Sequence, residues 1–348
     1  MPPVCLPRGP IMADVAAHRL SEEEKQRLLH PAVGGVILFR RNYQNRSQLQ
    51  ALCAEIKALR TPELVIAVDH EGGRVQRFIE GFTRLPAMST LGGIWEEQGQ
   101  AAAEAAAEQV GWVLAAELRA CGVDLSFTPV LDLDWGQCAV IGNRSFHCQA
   151  DTVTALALAL QRGLNQGGMQ SCGKHFPGHG FVSGDSHHVL PEDPRSLAEL
   201  MAADILPFRA LAAEGMAAVM PAHVVYPQVD KQPAGFSSIW LKQILRQDLG
   251  FNGVIFSDDL TMEGASMAGG IRERALGAHQ NGIEAFPFFA AAVLLAEFRG
   301  APQNLINELS VLFLIVRTAY VLTYVGNRPS LRSILWAIGF LITVAIFG

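Results

Sequence analysis

Hydrophobic positions fall into two regimes along this chain. Up to about residue 268, short apolar runs of four to eight residues each lead into a polar loop and then a helical pattern. The runs at 9–14, 35–39, 64–69, 123–130, 171–176, 217–222 and 253–258 read as strands. Helical periodicity fills 21–29, 46–59, 101–120, 150–166 and 197–213 between them. Strands alternating with helices predict a parallel sheet. Seven such strands, each ending in a polar residue or loop, predict an α/β fold of the TIM (β/α)8 type. No GxGxxG follows a strand, so a dinucleotide fold has little support.

Beyond residue 268 the pattern changes. Three apolar stretches follow at 283–298, 305–325 and 331–347, and neither Lys nor Asp occurs from Gly269 onward. The last two approach the ~17–25 residues that a membrane-spanning helix needs. Glu284 and Pro287 interrupt the start of the first. These stretches carry much of the mean hydropathy of +0.22. Buried helices of a soluble domain are the alternative, but three such helices share little polar surface.

The net charge is −6 and no basic block runs through the chain, which argues against a nucleic-acid partner. The six cysteines form no CxxC pair, and no basic region precedes an apolar stretch at the N-terminus. Reduced thiols in a cytosolic setting, with no secretory signal, are the expectation.

In a barrel the chemistry gathers at the C-terminal ends of strands. Asp69, Glu71 and Arg74 follow the third strand, and Asp132 and Asp134 the fourth. Lys174, His175 and His179 end the fifth, His223 the sixth, and Asp258 and Asp259 the seventh. Four motifs hold most of them. They are Lys174-His175-Phe176-Pro177-Gly178-His179-Gly180 with Gly184-Asp185-Ser186-His187-His188 after it, and Ser257-Asp258-Asp259-Leu260. The others are Asp69-His70-Glu71-Gly72-Gly73-Arg74-Val75-Gln76-Arg77 and Gly142-Asn143-Arg144-Ser145.

In that order, over about residues 9–268, these motifs resemble the bacterial β-N-acetylglucosaminidases of glycoside hydrolase family 3. The resemblance implies a (β/α)8 barrel that hydrolyses with retention. It implies Asp258 as nucleophile and His187 as acid/base, paired with Asp185. Asp69, Arg77, Arg144, Lys174 and His175 would hold the sugar, and no metal or organic cofactor is implied. The implied substrates are muropeptides of cell-wall recycling, with N-acetylglucosamine β-1,4-linked to anhydro-N-acetylmuramic acid. His70 departs from the family, where Gln is usual. Residue chemistry agrees with these roles. A retaining glycosidase needs a carboxylate at the anomeric carbon and a proton donor at the leaving oxygen. An imidazole, which titrates near neutrality, can give and then take that proton. Strand alternation lets only one of Asp258 and Asp259 face the mouth, and Asp258 is preferred. Glu71 reads as an orienting group, and His179 and His188 as structural loop residues.

Two other functions remain. His175, His179, Asp185, His187 and His188 could gather around zinc as a metal-dependent hydrolase, although their spacing fits no familiar zinc motif. The tail supplies the second. Residues 274–289, with Val316-Arg317-Thr318-Ala319-Tyr320 further on, resemble the MAPEG family of membrane proteins. That family is associated with eicosanoid and glutathione metabolism and has four transmembrane helices, of which this tail holds the last three. The expectation is therefore a barrel at 1–268 lacking its eighth strand, joined to a membrane tail at 269–348. Arg272, Arg274, Arg328 and Arg332 on one side and Arg299 on the other would place the barrel in the cytoplasm, at the inner membrane. Arg317, inside a span, would need a partner such as Glu308 or the bundle interior.

Overall fold

The structure, a computed structural model, describes residues 4–5, 8–183, 190–262, 271–326 and 328–347. Two compact units divide the chain, Met1–Asp258 and Asp259–Gly348.

In the first unit seven parallel strands follow one another in chain order. They are β1 (Ile11–Asp14), β2 (Val33–Leu38), β3 (Val65–Val68), β4 (Leu125–Ser126), β5 (Cys172–Phe176), β6 (Ala218–Pro221) and β7 (Val254–Ile255). Strands β1 to β4 form one ladder and β5 to β7 another. Backbone bonds just past β4 join them: Cys172 N donates to Thr128 O at 2.8 Å and Lys174 N to Pro129 O at 3.1 Å. Among the described residues no strand pairs with the outer edge of β1 or of β7.

Alternation along the strands sorts two apolar layers. Met12, Ile37, Ala67, Leu125, Phe127, Cys172, Met220 and Phe256 form one cluster. It takes in both ends of the strand order, so the sheet is rolled into a barrel with this cluster inside. The Phe127 and Phe256 rings meet edge to face there, 5.3 Å apart. The intervening residues, such as Val36, Ile66, Val68 and Val219, pack outward into the larger core under the helices.

The helices are α1 (Glu22–Leu28), α2 (Arg46–Lys57), α3 (Met88–Gln98), α4 (Gln100–Ala120), α5 (Ala150–Gln166), α6 (Leu197–Ala202), α7 (Ile205–Ala213) and α8 (Ile239–Asp248), the last wound with π-type bonding. Ser21 caps α1 and Ser196 caps α6, each in a reciprocal bond with the Glu three residues on. Helices α4 and α5 touch backbone to backbone. A Cβ on Gly163 would sit 1.9 Å from Glu108 O, and one on Gly111 2.3 Å from Leu160 O.

The single helix expected over 197–213 is two. It breaks at Ala203 (φ −135°, ψ −81°). The buried Asp204 carboxylate there takes Arg195 at 2.6 Å and Trp135 Nε1 at 3.0 Å. Pro207, three residues on, has no N–H to continue the ladder.

In the second unit α9 (Ile271–Phe298), α10 (Gln303–Val325) and α11 (Pro329–Phe347) pack on one another. Their core holds Ala292, Ala296, Ile306, Phe313, Val316, Ile342 and Ile346. The Phe289 and Phe313 rings stack with centroids 4.0 Å apart. All three are long and apolar enough to cross a membrane, at Ala275–Phe298, Gln303–Val325 and Ser330–Phe347. The first is therefore longer than the sequence pattern suggested, since Glu284 and Pro287 lie inside it. Arg317 donates to Asn281 Oδ1 at 3.1 Å and lies over the Tyr320 ring, so its partner is Asn281 and not Glu308.

Candidate active site

The C-terminal ends of the strands bring five of the sequence-predicted residues together. Lys174 is the middle residue of β5, its side chain 2% exposed, and its Nζ donates to Asp69 Oδ1 at 2.7 Å and pairs with Glu71 Oε1 at 2.6 Å. Arg144, from the loop after β4, grips the same Glu71 with both arms of its fork, Nε and Nη2 each at 2.8 Å. Arg77 Nη2 stands 4.0 Å from Asp69 Oδ2. Burial pushes the Glu71 carboxyl up, but the charges of Lys174 and Arg144 outweigh it and hold the group well below the usual carboxylate range. Burial pulls Lys174 down, and the two acids more than reverse that, so it stays cationic.

His175 follows Lys174 directly, yet both reach the mouth. The pairing of β5 with β6 passes from Lys174 to Phe176 and skips His175, which frees it from strict alternation. Its ring Nδ1 lies 2.7 Å from Asp132 Oδ2. Asp132 is fully buried and also accepts the backbone N–H groups of His175 and His179. Burial raises the Asp132 carboxyl, and the His175 contact wins, leaving it low. An ionised Asp132 therefore fixes Nδ1 as the protonated nitrogen and leaves Nε2 for a ligand. The sequence marked Asp132 as a strand-end residue but gave it no role. A charged residue inside the apolar run Pro129–Leu133 was the signal available.

The Asp258–Asp259 pair is separated by exposure. Asp258 is half-buried, and its charge reaches Cys172 and His179. Asp259 is exposed and accepts the N–H and hydroxyl of Thr261, each at 2.8 Å. Arg74 is outside the cluster; it is exposed and ties down the carbonyls of Ala139 and Ile141 at 3.0 and 3.3 Å. His179 is buried with Nδ1 3.5 Å from Cys138 Sγ, and His223 is buried and stacked on Phe236. His70 is buried beside the Phe78 and Phe82 rings, and burial lowers its imidazole to about 4. Asp185, His187 and His188 lie outside the described residues. Among the described residues no three His, Cys, Asp or Glu side chains gather as a metal site.

The network leaves donors available. Lys174 has a third ammonium proton, Arg144 keeps N–H groups beyond its bidentate pair, and Arg77 Nε is buried with no partner. Donors grouped around Asp69, whose carboxyl oxygens accept, suit a ligand rich in hydroxyl and carbonyl groups.

Similarity to known proteins agrees with that chemistry. The Glycosyl hydrolase family 3 N terminal domain model matches residues 9–290. This chain belongs to glycoside hydrolase family 3. It is 78% identical over 271 residues to a beta-hexosaminidase of Neisseria meningitidis serogroup A, covering 78% of this chain and 75% of that protein. It is 60% identical over 283 residues to one from Bordetella avium, covering 81% of each. Among solved structures it matches native NagZ from Neisseria gonorrhoeae with a TM-score of 0.74 and 77% identity, over 76% of this chain and 77% of that one. The MAPEG family model matches residues 234–348 and so overlaps the family 3 match over 234–290. Within the overlap β7 pairs in register with β6, Ala218 opposite Val254, so that strand is part of the barrel.

Proposed function

We propose that the barrel is a retaining β-N-acetylglucosaminidase acting on muropeptides of peptidoglycan recycling. Asp258 attacks the anomeric carbon while His187, oriented by Asp185, protonates the departing oxygen. Water then opens the glycosyl–enzyme bond with His187 as base. Asp69, Arg77, Arg144, Lys174 and His175 hold the N-acetylglucosamine ring. The observation that carries this reading is the Asp69–Lys174–Glu71–Arg144 network, built on the buried Lys174 and Glu71 and keeping spare N–H donors. A ring of hydroxyls with an acetamido carbonyl would occupy those donors.

The barrel lacks its eighth strand in this reading, and the domain boundary lies at 268/269. The tail attaches the module to the inner membrane with the barrel on the cytoplasmic side. The placement of Arg272, Arg274, Arg328 and Arg332 supports that orientation. The exposed Phe288 (69%), Leu322 (69%) and Leu341 (63%) of the tail favour lipid as their surroundings.

The test is hydrolysis of an aryl β-N-acetylglucosaminide by the full chain in detergent, with Asp258→Asn as control. Turnover that the control loses supports the reading. Absence of turnover from well-folded protein favours the second reading, an inactive barrel fused to a membrane module. A tail cavity of about 330 Å3, lined by Asn281, Glu284, Tyr320, Tyr324 and Arg332, favours a polar ligand for that module.

A further inference from the structure

Residues 184–189, which carry Asp185 and His187, lie between two described stretches of chain, and one side chain, Arg195, touches both. Arg195 is buried. Beyond the segment its fork takes both oxygens of Asp193, with Nε 3.0 Å from Oδ1 and Nη2 2.7 Å from Oδ2. Its Nη1 donates to Asp204 Oδ2 at 2.6 Å. Ahead of the segment the guanidinium lies over the Phe181 ring, 4.1 Å from its centroid, and over Trp135 at 4.9 Å. Each of these partners is tied to the barrel frame. Asp193 N donates to Val225 O at 2.8 Å, just past β6. Asp204 leads into α7 and accepts from Trp135 Nε1 at 3.0 Å. Gln137, from the loop after β4, donates to Phe181 O. Three residues earlier the Tyr226 hydroxyl donates to Gly178 O at 2.6 Å.

We infer that Arg195 is a positioning residue for the acid/base step: by holding Phe181 ahead of the segment and Asp193 beyond it, it fixes the two ends from which His187 is presented to the leaving oxygen. This rests on the glycosidase reading above. A cation buried between two carboxylates is a poor way to gain stability, because desolvation can cost more than the attraction returns. It is a good way to fix direction. A guanidinium bonds in its own plane and stacks on its faces, so the carboxylates and the rings take defined angles around it. Misplacing a catalytic group by about 1 Å can cost about a hundredfold in rate. Arg195 therefore acts through the proton donor without touching the sugar.

The experiment compares kcat/KM of the full chain in detergent for the phenyl and the dinitrophenyl β-N-acetylglucosaminide. Phenolate is a poor leaving group that needs a proton, and dinitrophenolate departs without one. Arg195→Lys keeps the charge but loses the fork and the flat face. Phe181→Leu removes the ring and leaves every charge in place, so it remains a test if the lysine variant fails to fold. Circular dichroism and unfolding midpoints verify folding of each. In both variants the phenyl glycoside is expected to lose about tenfold more than the dinitrophenyl glycoside, a part of the roughly hundredfold or more that general acid catalysis supplies. A smaller folded fraction or a disturbed sugar site lowers kcat/KM for both substrates alike. Equal losses, or none, therefore overturn the inference, while turnover by the parent chain leaves the glycosidase reading standing. A folded parent chain that turns over neither substrate overturns both.

Discussion

Lys174 Nζ lies 2.6 Å from Glu71 Oε1, and each side chain is only 2% exposed. A buried pair of this kind is costly to break one-sidedly, because the remaining charge stays buried. Glu71→Ala leaves both Lys174 and Arg144 without this carboxylate and is expected to destabilise the barrel by about 3 kcal/mol. Denaturant unfolding followed by tryptophan fluorescence reads the loss. An effect below about 0.5 kcal/mol, the scale of an exposed pair, would sink this account of the network.

Asp258→Asn and Asp259→Asn differ by one position and should differ by orders of magnitude in kcat. Asp259 bonds within its own turn to Thr261, so its amide variant is expected to keep turnover within a few-fold. Loss of a nucleophile is expected to cost at least about a thousandfold. Equal losses in both variants would overturn the assignment of Asp258.

Asp132→Asn keeps the shape of the group that holds His175 but loses its charge. The amide can turn its NH2 towards Nδ1 and select the other tautomer. The expectation is a raised KM for N-acetylglucosaminides with a smaller change in kcat, and a shifted pH profile of kcat/KM. A fall in kcat alone, at unchanged KM, would argue that Asp132 does not act through a sugar-holding His175.

His70 makes stability depend on acid. Its folded imidazole is depressed to about 4 from 6.5, so the unfolded chain binds the proton more readily. Stability is highest above the unfolded value, falls as pH drops below about 6.5, and stops falling below about 4. The full loss is about 3 kcal/mol. Unfolding midpoints measured at pH 7 and pH 5 should move apart less in His70→Gln than in the parent chain.

A chain truncated after residue 268 is expected to leave the membrane fraction that holds the full chain. Alkaline carbonate should fail to extract the full chain, as three spans at Ala275–Phe298, Gln303–Val325 and Ser330–Phe347 require. Complete extraction of the intact chain would rule out spanning helices.

Each expected strand is present at its expected place, because apolar runs bounded by turns are a local signal. The membrane-like helices were legible for the same reason, apart from the first turns of α9, where Glu284 and Pro287 hid a continuous helix. The break at Ala203–Asp204 was not legible, since it serves the side chains of Arg195 and Trp135. For Arg317 the alternative of the bundle interior fits better than Glu308, and the partner Asn281 was not legible because it is 36 positions away.

The sequence by itself determined the alternation of strands and helices, the motifs at the strand ends and the apolar tail. All of these depend on residues close in the chain. Tertiary structure decided which charges meet. Glu71 joins Lys174 and Arg144, and Asp132 joins His175, across separations that only the register of neighbouring strands can close. It also left Asp258 half-buried and Asp259 exposed, because β7 ends at Ile255 and the chain beyond it turns, with Asp259 accepting from Thr261 inside that turn.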